Sequence, residues 1–383
     1  MKHKILHISK MNGISGSENH LLTLLANLNG TLFERHLCIL TETRFVPQLQ
    51  EYRQRLEQAG VQVSILVMRR HVDERLIWRL RHDMLAKQIQ IVHTHLIHAD
   101  LYGTIAARLA GVPVIVSSRH NDDQFRRHRA LIWLNRLLAR WQIGIIVISD
   151  WVGRFLQEVE GIPAEKIMRI HYGLDPTPIE ALADPTYIRQ QFKIPDNVPI
   201  LGTIGRLTEQ KGQTFLLQAI SRLTRDVPNL RFIIIGDGEL RRELEEQAKT
   251  LDIAQNVIFT GLRPYHEAMR LLSGIDLFVF PSLWEGFGLV LLEAMALKKP
   301  IVASNISAIP EVVLDGATGR LVPPRDVESL TAAIREFLIS PEKRTQCGMA
   351  GYARLQNEFT VQTMVRQTAS AYLRMYHAAA GSK

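Results

Sequence analysis

Short runs of β-branched and apolar residues alternate with longer helical stretches from end to end of this 383-residue chain, and few folds are compatible with that alternation. In the first half the runs are KILHIS, RHLCILT, VQVSILV, IVHTHL, VPVIVSS, IGIIVIS and KIMRIHY, separated by stretches such as ENHLLTLLANLN, DERLIWRLRHDMLAK and ADLYGTIAARLAG. Parallel strands must be joined by long crossovers, and strands covered on both faces read as nearly continuous apolar runs. The second half repeats the pattern with PILGTIGRL, LRFIIIGDG, NVIFTG, DLFVFPS and PIVAS. The expected class is therefore α/β, with two doubly wound, Rossmann-like domains. The chain is long enough, and at 46% hydrophobic rich enough, to fill two cores.

Between the two series, residues 175–199 carry five prolines and no strand pattern, which marks a linker or hinge. The boundaries expected are 1–178 for the first domain, 179–198 for the linker and 199–358 for the second domain. The last segment, 359–383, is helical with no strand after it. Its pattern leaves its side open, and packing back onto the first domain is one arrangement. Doubly wound sheets bind ligands at the carboxyl ends of their strands, so two such domains facing each other would leave a deep cleft as the active site.

Composition narrows the setting. The only cysteines, Cys38 and Cys347, match no metal-ligand spacing and suit a reducing, cytoplasmic compartment. The start MKHKILHISKM has His7 within its apolar run and no small-residue cleavage site, so it reads as a first strand and not as a signal peptide. No apolar run approaches the roughly 18 residues of a membrane span. The net charge of +8 is concentrated early, with 23 Lys and Arg against 17 Asp and Glu in residues 1–180. Arg69, Arg70, Arg75, Arg79 and Arg81 contribute, as does FRRHRALIWLNRLLARW, where Arg126, Arg127, Arg129, Arg136 and Arg140 interleave with apolar residues. That segment suits either an anionic membrane surface or an ordinary amphipathic helix with solvated arginines. No zinc-finger spacing or RNA-binding signature supports nucleic acid as a partner.

The chemistry gathers at strand ends. PILGTIGRL ends in Arg206, and Lys211 follows just before the helical QTFLLQAISRL, so two cations meet a helix N-terminus. Such a place binds an anion, with phosphate expected, or is a loop with two solvated cations. Further on, DLFVFPS gives way to LWEGFG, where Gly286 and Gly288 let the backbone approach a ligand and the amides of Gly288, Leu289 and Val290 open a helix. Glu285 stands just before that helix, placed to accept from hydroxyls. Glu293, eight residues on in an otherwise apolar helix, needs a partner, either a ribose diol or a buried Arg or Lys. A ligand combining diphosphate, ribose and a polyhydroxylated group accounts for all of these features, and such a ligand is a nucleotide sugar.

GRLTEQKG, IIIGDGEL, FTGLRPYHEAMRLLSGIDLFVFPSLWEGFGLVLLEAMALKKPIVAS and IPEVVLDGATGRLVPPRD together resemble the retaining glycosyltransferases of family 4, which have the GT-B architecture. The resemblance covers the second domain almost continuously. In the first domain it is carried by GISGSENHLLTLLA, by IVHTHL and VIVSSRH, and by IVISDWV leading to HYGLD. It implies that Arg206 and Lys211 hold the donor diphosphate, that Glu285 and the amides after Phe287 hold the transferred sugar, and that Glu293 holds the ribose. It also puts Gly16 and Gly236 at the ligand, Arg263 against the base, and His120 in the position of the family's active-site histidine, with His93, His95 and His98 as nearby competitors. The chain departs from the family pattern at Ser15, which precedes Gly16 where two glycines are common, at Tyr172 in place of Asn, and at Ser307–Ala308 in place of a glycine pair.

The expected reaction is hexosyl transfer, with retention, from a UDP- or GDP-sugar to a hydroxyl of a glycan or lipid-linked acceptor, as in cell-surface polysaccharide or glycolipid synthesis. The enzyme would be cytoplasmic and peripheral on the inner membrane face. No aspartate pair of a metal-dependent transferase stands beside the donor motifs, although Asp122 and Asp123 follow His120, so neither a metal nor another cofactor is expected. The rival functions are a GT-B epimerase or phosphorylase, which needs no acceptor alcohol, and a sugar-nucleotide-binding protein without catalysis.

Overall fold

A computed structural model describes residues 2–14, 16–69, 73–122 and 124–381. The chain divides into two compact units, residues 1–173 with 361–383, and residues 174–360.

The first unit holds seven strands: β1 (His3–Lys10), β2 (Phe33–Thr41), β3 (Gln62–Val67), β4 (Ile91–His95), β5 (Val114–Arg119), β6 (Gly144–Val147) and β7 (Ile167–Arg169), one for each run read from the sequence. They form one sheet in the order β3-β2-β1-β4-β5-β6-β7, parallel throughout. The order reverses between β1 and β4, which is where a doubly wound sheet opens a crevice. His7 of β1 lies in register with His93 of β4 at this point. One face is covered by the helices Arg75–Lys87 and Leu96–Leu109, whose Leu76, Leu80, Met84, Ala99 and Tyr102 join Leu6, Ile8 and Val92 in a core. The other face is covered in part by the last helix, Val361–Gly381. Its Met364, Ala371, Tyr372 and Met375 recur at helical spacing and pack on Leu24, Ile91, Val114 and Val116, so the terminal helix belongs to this unit.

The second unit holds β8 (Ile200–Ile204), β9 (Arg231–Ile235), β10 (Val257–Gly261), β11 (Leu277–Phe280), β12 (Ile301–Ser304) and β13 (Gly319–Val322), in the order β10-β9-β8-β11-β12-β13. Here the switch point lies between β8 and β11. The sequence pattern yields five of these strands. β13 is a four-residue edge strand paired with β12, and its Arg320 and Leu321 are half-buried.

The proline-rich stretch expected to be a linker is folded, and it belongs to the second unit. It contains the short helices Thr177–Ala181 and Tyr187–Phe192. Its prolines sit where the chain tolerates them: Pro176 and Pro178 stand at the start of the first helix, where the missing amide has no partner to lose. Among the described residues, no helix is long and apolar enough to cross a membrane.

Candidate active site

In the second unit two loops at the carboxyl ends of β8 and β11 are stitched together. Gly212 adopts φ +64, and a Cβ there would meet the Pro281 carbonyl oxygen at 2.2 Å, so only glycine lets the loops come this close. The Leu283 amide donates to the Gln210 carbonyl at 2.7 Å, and Gln210 Nε2 donates to the Trp284 carbonyl at 3.0 Å. This brings Lys211 Nζ to 2.5 Å from Glu285 Oε2 and places it 5.1 Å from the centre of the Phe280 ring. Lys211 and Glu285 side chains are 17% and 14% exposed, so the pair is open to a ligand yet largely shielded from bulk solvent. Arg206, two residues past the end of β8, is exposed.

The helix Leu289–Ala296 starts directly beyond Glu285, with Gly288 at its N-cap in the left-handed region. Its first amides lack intrahelical acceptors by the geometry of any helix start, and Leu289 and Val290 are both half-buried at the surface of the unit. Lys211, Glu285 and the start of this helix therefore lie at the adjoining carboxyl ends of β8 and β11. Ser307, where the family pattern favours glycine, adopts φ +52, and the following Ala308 amide donates to the Glu285 carbonyl at 3.4 Å.

Three residues expected at the ligand have other positions or partners. The Phe287 ring is buried and packs edge to face on Phe359 at 5.8 Å, so its side chain supports the loop from below. Gly236 serves backbone packing: a Cβ there would lie 2.1 Å from the Gly205 carbonyl oxygen. Arg263 Nε donates to the Thr260 carbonyl at 3.1 Å, and its guanidinium pairs with Glu267 at 3.4 Å, leaving the side chain partly exposed beside β10.

Glu293 has a partner that is neither Arg nor Lys. It shares a hydrogen bond with the Tyr265 hydroxyl, from the neighbouring helix Tyr265–Ser273. Burial pushes the Glu293 carboxyl up to about 7, with the Tyr265 bond opposing that rise, and burial beside Glu293 also raises the Tyr265 phenol. Tyr265 is absent from the sequence reading. Tyr265 is 48% exposed over the whole residue, while its hydroxyl is turned in to the Glu293 carboxyl.

In the first unit the sequence-predicted histidines are joined by hydrogen bonds. His120 Nε2 lies 3.1 Å from His95 Nδ1, and His95 Nε2 lies 2.9 Å from His7 Nδ1. His7 Nε2 reaches the Tyr372 hydroxyl at 3.3 Å, Tyr372 reaches His93 Nδ1 at 2.6 Å, and His93 Nε2 reaches Ser118 Oγ at 2.8 Å. At the other end His120 Nδ1 meets the Tyr172 hydroxyl at 2.6 Å. His20, on the helix Gly16–Asn27, lies against Tyr172 with ring centres 4.2 Å apart, and its Nδ1 has no hydrogen-bond partner among the described residues. Gly16 is the exposed first residue of that helix. His98 is half-buried in the first turn of the helix Leu96–Leu109.

Burial holds the imidazoles of His7, His20, His93, His95 and His120 neutral. His7 is pushed down to about 3 by burial, and His120 also to about 3, by burial and then by the nearby Arg119 and Arg126. His20, His93 and His95 lie well below the ordinary value, by burial first and then by repulsion from neighbouring histidines. With both ring nitrogens engaged, His120 is part of a buried network and not a free base.

The basic segment also divides. Arg126 is buried and pairs with Glu160 at 2.7 Å, where Asn135 Nδ2 also donates at 2.9 Å. Arg136 Nε donates to the Glu160 carbonyl at 2.6 Å. On the helix Arg129–Trp141, Arg129, Trp133, Arg136 and Arg140 are all exposed at spacings of four and three, forming one outward face. Asp122 Oδ2 accepts from Trp151 Nε1 at 2.5 Å. Ser15, Arg70 and Asp123 lie outside the described residues.

The two parallel, doubly wound sheets share their fold with the HepE protein of Anabaena, solved in complex with UDP, at a TM-score of 0.83 and 22% identity over 97% of this chain and 100% of that one. This is the GT-B architecture, and the protein is a glycosyltransferase. Residues 15–173 match the glycosyl transferase 4-like domain and residues 185–354 match the glycosyl transferases group 1 family, so the chain belongs to the group 1 glycosyltransferases of family 4 type. It is 28% identical to the alpha-D-kanosaminyltransferase of Streptomyces kanamyceticus over 285 residues, 70% of this chain and 74% of that protein. It is 34% identical over 171 residues to the GDP-mannose-dependent alpha-(1-6)-phosphatidylinositol monomannoside mannosyltransferase of Mycolicibacterium smegmatis, a stretch that covers 43% of this chain and 44% of that protein.

Proposed function

We propose that the chain transfers a hexosyl group from a UDP- or GDP-sugar to a hydroxyl of a glycan or lipid-linked acceptor, with retention of anomeric configuration, in the synthesis of a cell-surface polysaccharide or glycolipid. The observation that carries this reading is the pairing of Lys211 with Glu285 beside the start of the helix Leu289–Ala296, at the adjoining carboxyl ends of β8 and β11. A cation and free amides suit phosphate oxygens, and a carboxylate suits sugar hydroxyls, so one ligand with both parts satisfies the site.

In this reading Arg206 and Lys211 hold the diphosphate, Glu285 and the amides of Gly288, Leu289 and Val290 hold the sugar, and Glu293 holds the ribose beside Tyr265. As the bond from the anomeric carbon to the phosphate oxygen breaks, charge builds on the β-phosphate, where Lys211 and Arg206 stabilise it. The acceptor oxygen forms the new bond on the face the phosphate leaves, and its proton passes to a phosphate oxygen of the departing nucleoside diphosphate. Because two side-chain cations neutralise that charge, transfer is expected to proceed in EDTA. Activity that vanished in chelator and returned only with Mg²⁺ or Mn²⁺ would overturn this point.

The acceptor side is read from charge. A face of Arg129, Trp133, Arg136 and Arg140 suits the headgroup region of an anionic inner membrane leaflet, where a lipid-linked acceptor would be presented. The relative named as a GDP-mannose-dependent phosphatidylinositol monomannoside mannosyltransferase supports an acceptor of that kind.

The test is a thermal shift with UDP, GDP and ADP, followed by transfer assays with the matching sugar donors. A nucleotide at about 100 times its Kd adds roughly 2.7 kcal/mol of stability to the state it binds. Stabilisation by none of the three nucleotides at millimolar concentration would sink the donor-site assignment.

A further inference from the structure

Beside the core-facing stripe of the helix Val361–Gly381, the side chains of Val365, Ala369 and Leu373 recur every four residues and lie half-buried at the edge of the core. Together with Leu32, which is 43% exposed, they floor a groove of about 600 Å³ between this helix and the turn that follows the helix Gly16–Asn27. That volume is within the roughly 300 to 1,000 Å³ of small-molecule pockets. The groove is long, since the helix rises about 24 Å from Val361 to His377 at roughly 1.5 Å per residue. Its position follows from the first strand. The His3 amide donates to the Leu32 carbonyl at 2.8 Å, and the His3 ring meets Tyr376 with centres 4.5 Å apart. One end of the groove therefore sits at the amino edge of the first sheet, whereas His120 follows β5 at the carboxyl edge.

The adjacent stripe of the same helix puts Arg366, Arg374 and His377 on the rim, all exposed. Neither wall supplies a carboxylate. Val361–Gly381 contains no Asp or Glu, and residues 19–33 contain no Asp, Glu, Lys or Arg. Arg374 donates to Ser370 Oγ at 3.0 Å, and among the described residues neither Arg366 nor Arg374 is ion-paired. Other exposed arginines of this chain do meet acids, as Arg53 meets Glu57 at 2.7 Å and Arg335 meets Asp226 at 2.6 Å. An apolar floor beneath cations that no acid neutralises suits a molecule with a hydrocarbon chain and an anionic head. A phosphate head accepts strong charge-assisted bonds from guanidinium groups.

We propose that this groove binds one molecule of a phosphate-bearing lipid, with a hydrocarbon chain along Leu32, Val365, Ala369 and Leu373 and the phosphate on the rim arginines. A protein partner fits less well. A stable protein interface takes about 800 Å² and 20 to 30 residues from each side, and this floor is four side chains. A second copy of the chain would set arginine against arginine. The lipid site is distinct from the donor loops and from the outward face of Arg129, Trp133, Arg136 and Arg140, and it does not depend on the transfer reaction. It gives the terminal helix a ligand as well as a place in the core.

The test is calorimetric titration of the full-length protein with monododecyl phosphate below its micelle concentration. One molecule should bind per chain, more weakly at high salt and equally well in saturating UDP. Arg366→Glu with Arg374→Glu should raise the Kd at least about tenfold, because both exposed charges are reversed. Ala369→Trp fills the floor and should raise it by a similar factor through a separate route. The two changes are independent, so either decides alone if the other variant does not fold. Trp133→Ala with Arg129→Glu should leave the affinity unchanged. No binding of the probe, or equal binding of uncharged dodecyl maltoside or of inorganic phosphate, would overturn the proposal. So would displacement by UDP, or wild-type affinity in either folded groove variant, since the probe would then sit elsewhere.

Discussion

Glu293→Gln should make the free protein more stable and its grip on nucleotide weaker. Burial raises the Glu293 carboxyl from an ordinary 4.5 to about 7, so the folded state holds that proton more tightly than the unfolded chain does. The sign follows directly. Below 4.5 the group is neutral in both states and costs nothing. As pH rises from there the unfolded chain releases its proton first, and the folded state loses stability until its own carboxyl ionises near 7, beyond which the loss is complete. The displacement amounts to about 3 kcal/mol. Glutamine keeps the size and a group for the Tyr265 hydroxyl but has no charge to bury. The melting temperature of the second unit should therefore rise by about 6 to 12 °C at pH 8, at the usual 2 to 4 °C per kcal/mol for this size, and hardly change at pH 4.5. Nucleotide affinity should move the other way. A hydrogen bond to a charged group contributes about 1.5 to 3 kcal/mol, so titration calorimetry at pH 8 should give a Kd raised roughly 10- to 150-fold, and wild-type affinity should strengthen as pH rises through 7. An equally tight variant at pH 8 would remove Glu293 from the ribose site, and a variant less stable at pH 8 would refute the buried-carboxylate argument itself.

Lys211→Ala removes the cation nearest the developing phosphate charge, a loss of about 2.7 to 4 kcal/mol, so turnover should drop by about two to three orders of magnitude; single-turnover assays with saturating donor would expose it. Arg126→Ala leaves Glu160 buried without its cation, and chemical denaturation should show a loss of about 3 to 5 kcal/mol, whereas Arg140→Ala on the exposed face should stay within about 0.5 kcal/mol. Trp133→Ala together with Arg129→Glu should weaken sedimentation with anionic vesicles at low salt while leaving transfer to a soluble acceptor intact, and equal binding by wild type and variant would discard the membrane face.

What the sequence made legible was whatever depends on neighbours along the chain. Apolar runs of four to eight residues located the seven strands of the first sheet, because a strand buried on both faces must be apolar nearly throughout. β13 escaped for the opposite reason, being an edge strand whose middle residues are half-buried. The prolines of 175–199 were read as a break in structure, but proline at a helix start gives up nothing, and the residues beyond Pro176 fold. At the donor site the residue types were legible and their partners were not. Lys211 meets Glu285 across 74 positions, Arg126 meets Glu160 across 34, and the Tyr265 that holds Glu293 sits on a separate helix. The histidines show the limit most clearly. The sequence offers His93, His95 and His98 only as competitors of His120, and His7 only as a polar interruption of the first strand. Folding joins His7, His93, His95 and His120 to Tyr172 and Tyr372, and the contact between Tyr372 and His7 spans 365 positions, which no local pattern could reveal.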